Sequence, residues 1–160
     1  MHSRIFQLSE TPIDEADFIE ESYYFDHWFT REIADYVNGD TNRDDDINWL
    51  KSFANGVEFG CDGDGEFLIV NSKEDYFASS FETFKQCLDK VNQKCNIEDF
   101  VKGVGEMWSL KNAHEDRFGF YVDVCYEAGC VGDMMSFDEF VRGANVGIKY
   151  YIGNTIDYHF

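Results

Sequence analysis

The chain has 160 residues, about one domain's worth, and carries 32 acidic against 13 basic side chains, a net charge of −19. Hydrophobic residues make up 44% and aromatic residues 18%, enough for a packed core, so this is not a disordered acidic tail. The charge argues against direct contact with DNA, RNA or anionic lipid and favours basic protein partners. No stretch approaches the ~18 apolar residues needed to span a bilayer.

In chain order, residues 4–8 alternate and predict a first strand, ended by Thr11-Pro12. Residues 14–18 are expected to form a helical turn. Phe25, Trp28, Phe29, Ile33, Tyr36 and Val37 recur at helical spacing and predict a helix over residues 25–37, stopped by Asn38-Gly39. Asp44, Asp45 and Asp46 open a short helix reaching Ala54, and one of the three is expected to cap it. Residues 57–61 and 66–70 read as strands joined by the hairpin turn Asp62-Gly63-Asp64-Gly65.

Ser72 begins a helix whose inward stripe is Phe77, Phe81, Phe84, Leu88 and Val91. Asn96 begins another, with Ile97, Phe100, Val101, Val104 and Trp108 on one side. Residues 118–124 suit a strand. Ser136 and Glu139 form a capping box before Phe140 and Val141. Residues 149–152 and 155–158 are expected to make a final hairpin around Gly153-Asn154. Strands and helices mix without regular alternation. The expected fold is α+β, one acidic domain over residues 1–160 with short strands and hairpins packed on about four helices.

The charge is unevenly distributed. Residues 1–80 hold 19 acids against 5 bases, and residues 81–160 hold 13 against 8. Within residues 10–46 there are 13 acids, opposed only by Arg31 and Arg43. Charges so dense repel one another and weaken the compact state. Asp14, Glu15, Asp17, Glu20 and Glu21 precede the aromatic stripe and have no evident structural duty. Together with Asp44, Asp45 and Asp46 they are the candidate partner-binding residues.

Chemical motifs are weak. Asp40-Thr41-Asn42-Arg43-Asp44 opens like a calcium loop, but Asp45 stands where the turn glycine belongs and Lys51 where the bidentate glutamate belongs. The five cysteines, Cys61, Cys87, Cys95, Cys125 and Cys130, include no Cys-x-x-Cys pair. Cys125 and Cys130 with His114 or His159 match no zinc spacing. His27, beside Asp26 and near Glu20 and Glu21, reads as a histidine on the rim of the aromatic stripe more than as an acid–base pair. No nucleophile elbow, phosphate loop or dinucleotide fingerprint is present. No metal, no cofactor and no enzymatic activity are expected.

The amino terminus has no apolar run of the signal-peptide kind, and cysteine usage suits a reducing compartment, so the expected location is the cytoplasm. The expected function is an acidic interaction module that mimics nucleic-acid phosphate. It would block the basic groove of a nucleic-acid-binding protein, in particular a bacterial defence nuclease. In composition alone the chain resembles the small acidic antirestriction and anti-CRISPR proteins of phages and mobile elements; no motif carries the likeness. The alternatives are a cytosolic immunity-type protein that neutralises a basic toxin, or a small enzyme. Carboxylates on a flat or convex face would favour mimicry, whereas His27 or His114 converging with carboxylates in a cleft would favour an enzyme.

Overall fold

Strand β1 (His2–Ser9) is buried at residue 3 and from 5 to 9, because it runs through the middle of a sheet that is covered on both faces. The computed structural model describes residues 1–113, 119–125 and 132–160. In it, helix α1 (Phe29–Glu32), strand β2 (Tyr36–Asn38), helix α2 (Arg43–Lys51) and the hairpin β3 (Val57–Asp62)–β4 (Gly65–Val70) follow β1. Three helices come next: α3 (Lys73–Lys94), α4 (Ile97–Lys102) and α5 (Glu106–Asn112). Strands β5 (Tyr121–Cys125) and β6 (Asp133–Ser136), helix α6 (Phe137–Gly143) and strand β7 (Lys149–His159) complete the α+β domain.

The seven strands form one mixed sheet in the order β3-β4-β7-β1-β5-β6, with β2 also paired to β7. β1 lies parallel to β5 and antiparallel to β7. Alternation along the strands divides the core. Phe6, Leu8, Val122 and Val124 face α2 and α6, where they meet Ile47, Leu50, Phe137, Phe140 and Val141. Ile5, Ile156 and Tyr158 face the other way, onto Tyr24, Phe29 and Ala34. Residues 19–37 of the acidic stretch therefore cover the second face, while Asp44, Asp45 and Asp46 lie on α2 against the first.

Local signals explain most boundaries. Asn42, Ser72, Asn96 and Ser136 each accept a backbone N–H at a helix start. The β3–β4 pairing and the Ser136 cap agree with the sequence reading, as does the 3₁₀ turn Glu15–Asp17.

Four expectations are corrected. There are six α-helices among the described residues, not about four. The helix expected over residues 25–37 shrinks to α1, flanked by the 3₁₀ turn Glu21–Tyr24 and by β2. Of its stripe only Phe29 is buried, and Phe25 is 62% exposed. Tyr36–Asn38 instead pairs with residues 157–159 of β7, whose edge would otherwise be unpaired.

The expected hairpin over 149–158 is one continuous strand with a bulge. Gln7 lies opposite Gly153 and Asn154, and its Oε1 accepts the Asn154 N–H (3.1 Å), so the Gly-Asn pair bends the strand without reversing it. A Cβ at Gly153 would lie 2.4 Å from that same oxygen. Finally, the apolar stripes of α3, α4 and α5 are largely exposed: these helices pack on one another more than on the sheet. The expected strand over 118–124 begins at Tyr121 among the described residues, with Phe118 outside them. No helix among the described residues is long and apolar enough to cross a membrane.

Candidate functional site

The acidic segment is held to the sheet by its backbone, which leaves its carboxylates outside. Buried Gln7 donates from Nε2 to the Asp17 carbonyl (2.9 Å) and accepts the Ile19 N–H at Oε1 (3.1 Å). Asn154 Nδ2 donates to the Ile19 carbonyl (2.7 Å). Further along, Tyr24 and Phe29 are inserted into the core. Asp14, Glu15, Asp17 and Glu20 are consequently exposed, and none of them joins an ion pair among the described residues. Asp14 precedes the 3₁₀ turn without capping it through its side chain. Glu21 differs. It is half-buried, and its Oε2 accepts the Gly39 N–H (2.7 Å), closing the loop back on itself.

The four carboxylates form a ridge between two clefts. One, of about 350 Å³, runs between the ridge and the end of β1, past Ser9, Tyr23 and Cys125. The other, of about 510 Å³, separates Asp14 and Glu15 from the β3–β4 turn. Its lining includes five carboxylates, those of Asp14, Glu15, Asp62, Asp64 and Glu66, and a single guanidinium, Arg43. The sequence reading missed Asp62, Asp64 and Glu66 as members of this face. Asp-Gly-Asp-Gly-Glu signalled an acidic hairpin tip, but only the pairing of β4 with β7 brings that tip to the ridge.

Part of this charge is already matched. Lys149 Nζ donates to Asp62 (2.5 Å), and this contact, ahead of the Asp64 N–H, holds the Asp62 carboxyl below its ordinary range. Arg43 bonds Glu66 and donates to the Gly153 and Ile152 carbonyls (2.6 and 2.7 Å), so it docks α2 on β7. Asp64 has no ion pair among the described residues.

Asp44, Asp45 and Asp46 diverge around the first turn of α2. Asp44 is 82% exposed in its side chain and 3.9 Å from Arg43. Asp45 is exposed and accepts from Asn42 Nδ2 (2.7 Å). The expectation that one of the three caps the helix is corrected: the cap is Asn42, which accepts the Asp45 N–H.

Asp46 is also removed from the candidate surface. It is buried, it accepts from Arg4 Nε (2.6 Å) and Thr155 Oγ1 (2.8 Å), and Arg4 bonds Asp157 as well. This buried ion cluster ties α2 to β1 and β7. A carboxylate one helical turn from the cap points inward, which the run Asp-Asp-Asp does not reveal. Because α2 starts at Arg43, the calcium-loop pattern from Asp40 falls largely on helix.

A second group of polar side chains lies beneath the segment. Tyr24 OH donates to Asp123 Oδ2 (2.9 Å) in the core, and Asp123 Oδ1 has no hydrogen-bond partner among the described residues. Burial pushes the Asp123 carboxyl up against the pull of the Tyr24 bond. Burial and the adjacent Asp123 push the Tyr24 phenol well above its ordinary value. Gly132 passes so close that a Cβ there would sit 1.5 Å from Oδ1.

His27 is half-buried, stacked on Tyr23 at 5.9 Å and edge-on to Tyr24 at 5.7 Å, and its Nδ1 accepts the Phe29 N–H (3.3 Å). It is near enough to lower the Asp123 carboxyl slightly, but it lines neither acidic cleft. His159 bonds Asp35 (3.0 Å) and the amino terminus (2.9 Å) and stacks on Tyr36. His114 and Cys130 lie outside the described residues; Cys61, Cys87 and Cys95 are free thiols. No group of three His, Cys, Asp or Glu suited to a metal ion occurs among the described residues. No family model, no curated protein and no solved structure matches this chain.

Proposed function

We propose that this chain is a non-enzymatic, acidic interaction module of the cytoplasm. In this reading it inhibits a nucleic-acid-handling protein, of the bacterial defence-nuclease type met by anti-CRISPR or antirestriction proteins, by occupying its basic groove. The observation that carries the reading is the ridge Asp14, Glu15, Asp17 and Glu20, exposed and without ion pairs. At ~2.0 Å per residue, the 3₁₀ backbone from Asp14 to Asp17 spreads three charges over roughly 6 Å. Duplex DNA, at one charge per ~1.7 Å, presents roughly three to four over that length. A groove lined with Lys and Arg would meet a similar charge density on either surface.

The cleft between the ridge and the β3–β4 turn favours the second reading, an immunity-type protein for a basic toxin, because a concave acidic site also admits a protruding cationic side chain. One experiment separates them. A partner is captured from host lysate and its binding is measured for wild type and for the chain carrying Asp14→Lys, Glu15→Lys, Asp17→Lys and Glu20→Lys. Mimicry requires that the folded variant lose binding and that duplex DNA compete with wild type. Loss of binding without DNA competition favours the toxin reading. Unchanged binding by the folded variant sinks both.

A further inference from the structure

Helices α3, α4 and α5 form an arm whose composition differs from the rest of the molecule. α3 packs on α5 and α5 on α4. The arm is anchored near the start of α3, where Lys73 Nζ donates to the Arg142 carbonyl (2.7 Å), Tyr76 OH donates to Asp138 (2.7 Å) and Arg142 lies over the Phe77 ring. Beyond that anchor, Phe81, Leu88, Ile97, Phe100, Val101, Val104 and Trp108 are between 40% and 78% exposed. Apolar side chains at helical spacing normally face a core. Here the spacing is present and, among the described residues, nothing fills the facing position.

We infer that this arm is a homodimer interface, covered by the same arm of a second copy of the chain. Charge is the first argument. Residues 73–113 hold six lysines against seven acids, a net of −1, while the remaining residues carry −18. Two copies of so acidic a protein repel each other wherever the acidic layer is presented. The arm is where they can approach with little repulsion. Its charges also match themselves: Lys90, Lys94 and Lys111, and on the other side Asp89 and Glu106, have no ion pair among the described residues. A two-fold interface brings each patch against its own copy, so a surface with both signs complements itself.

Area is the second argument. At ~200 Å² for a large aromatic and ~100 Å² for a branched aliphatic side chain, the exposed fractions amount to roughly 600 Å². A stable interface buries about 800 Å² per partner, with about 65% of its core apolar. The arm therefore supplies the apolar share of such an interface. A groove of about 370 Å³ bordered by Phe77, Phe81 and Phe84 at its base can receive a projecting side chain from the other copy.

Sedimentation equilibrium of the purified full chain, from low to high micromolar concentration at physiological salt, tests this. The expected result is reversible association to twice 18.6 kDa. The double variant Ile97→Glu, Phe100→Glu should raise the dissociation constant at least tenfold with unchanged circular dichroism, since both side chains are exposed. Lys90→Glu with Lys94→Glu, which leaves the apolar residues in place, should also weaken association. The ridge variant described above should still dimerise, so this inference and the proposed function fail separately. A wild-type chain that stays monomeric throughout overturns the inference. So does a dimer that tolerates the Ile97 and Phe100 changes. So do arm substitutions that abolish capture of a different protein while the chain is monomeric throughout, which would make the arm a surface for that protein.

Discussion

Two aspartates, Asp44 and Asp46, stand two positions apart and have opposite roles. Asp46 is buried against Arg4 and Thr155, while Asp44 is exposed with only a distant guanidinium. Asp46→Ala leaves Arg4 with Asp157 as its remaining acidic partner, so the cost should be about 3 kcal/mol, the lower end for breaking a buried pair. Asp44→Ala should change stability by less than ~0.5 kcal/mol. Denaturant titration of both variants checks this, and equal effects would contradict the assignment. Asp123 gives a pH signature. Its folded carboxyl titrates above the unfolded one, chiefly through burial, so the folded chain keeps a proton that the unfolded chain has released. The stability from this group is full below the unfolded carboxyl's range and falls as pH rises through the folded value. Asp123→Asn removes that fall. The Tm of the variant minus that of wild type should grow as the pH rises above the ordinary carboxylate range, and a difference independent of pH would refute the upward shift at Asp123.

Among the elements, β1 organises both the core and the candidate site. Gln7 occupies a buried position on it that an alternating strand pattern assigns to an apolar residue. There it satisfies the β7 bulge and the backbone of the acidic segment at once. Gln7→Leu keeps similar bulk but strands the Ile19 and Asn154 N–H groups and the Asp17 carbonyl. At ~1–3 kcal/mol for each buried group left unsatisfied, a loss of at least ~2 kcal/mol is expected. The local effect is more diagnostic. Amide exchange in residues 15–20 should accelerate while the middle of α3 keeps its protection. If the segment keeps wild-type protection, Gln7 is not its anchor. The same chemistry explains why Gly153-Asn154 does not end a hairpin: a side chain on another strand binds the amide that a turn would have used.

For the whole molecule, the net charge of −19 sits mainly outside the arm. Added monovalent salt should raise the Tm from its value in dilute buffer, because ions screen exposed charges beyond ~10 Å at 0.1 M. A Tm that is flat or falls across the series would mean that the carboxylates are internally compensated. The few ion pairs of the exposed acidic layer point to the first outcome.

What the sequence determined was local and additive. Net charge needs no coordinates. The caps at Ser72, Asn96 and Ser136 and the β3–β4 turn depend on neighbours within a few residues, and all were legible. The tertiary structure decided what depends on which surfaces meet. Helical spacing marked the stripes of residues 25–37 and of α3 to α5 as inward, yet spacing states only that one face is apolar, not that anything covers it. Three consecutive aspartates read alike until a helix turns one of them onto Arg4. Asp64 reached the acidic ridge because β4 pairs with β7, a contact between residues 80 or more positions apart that no local pattern encodes.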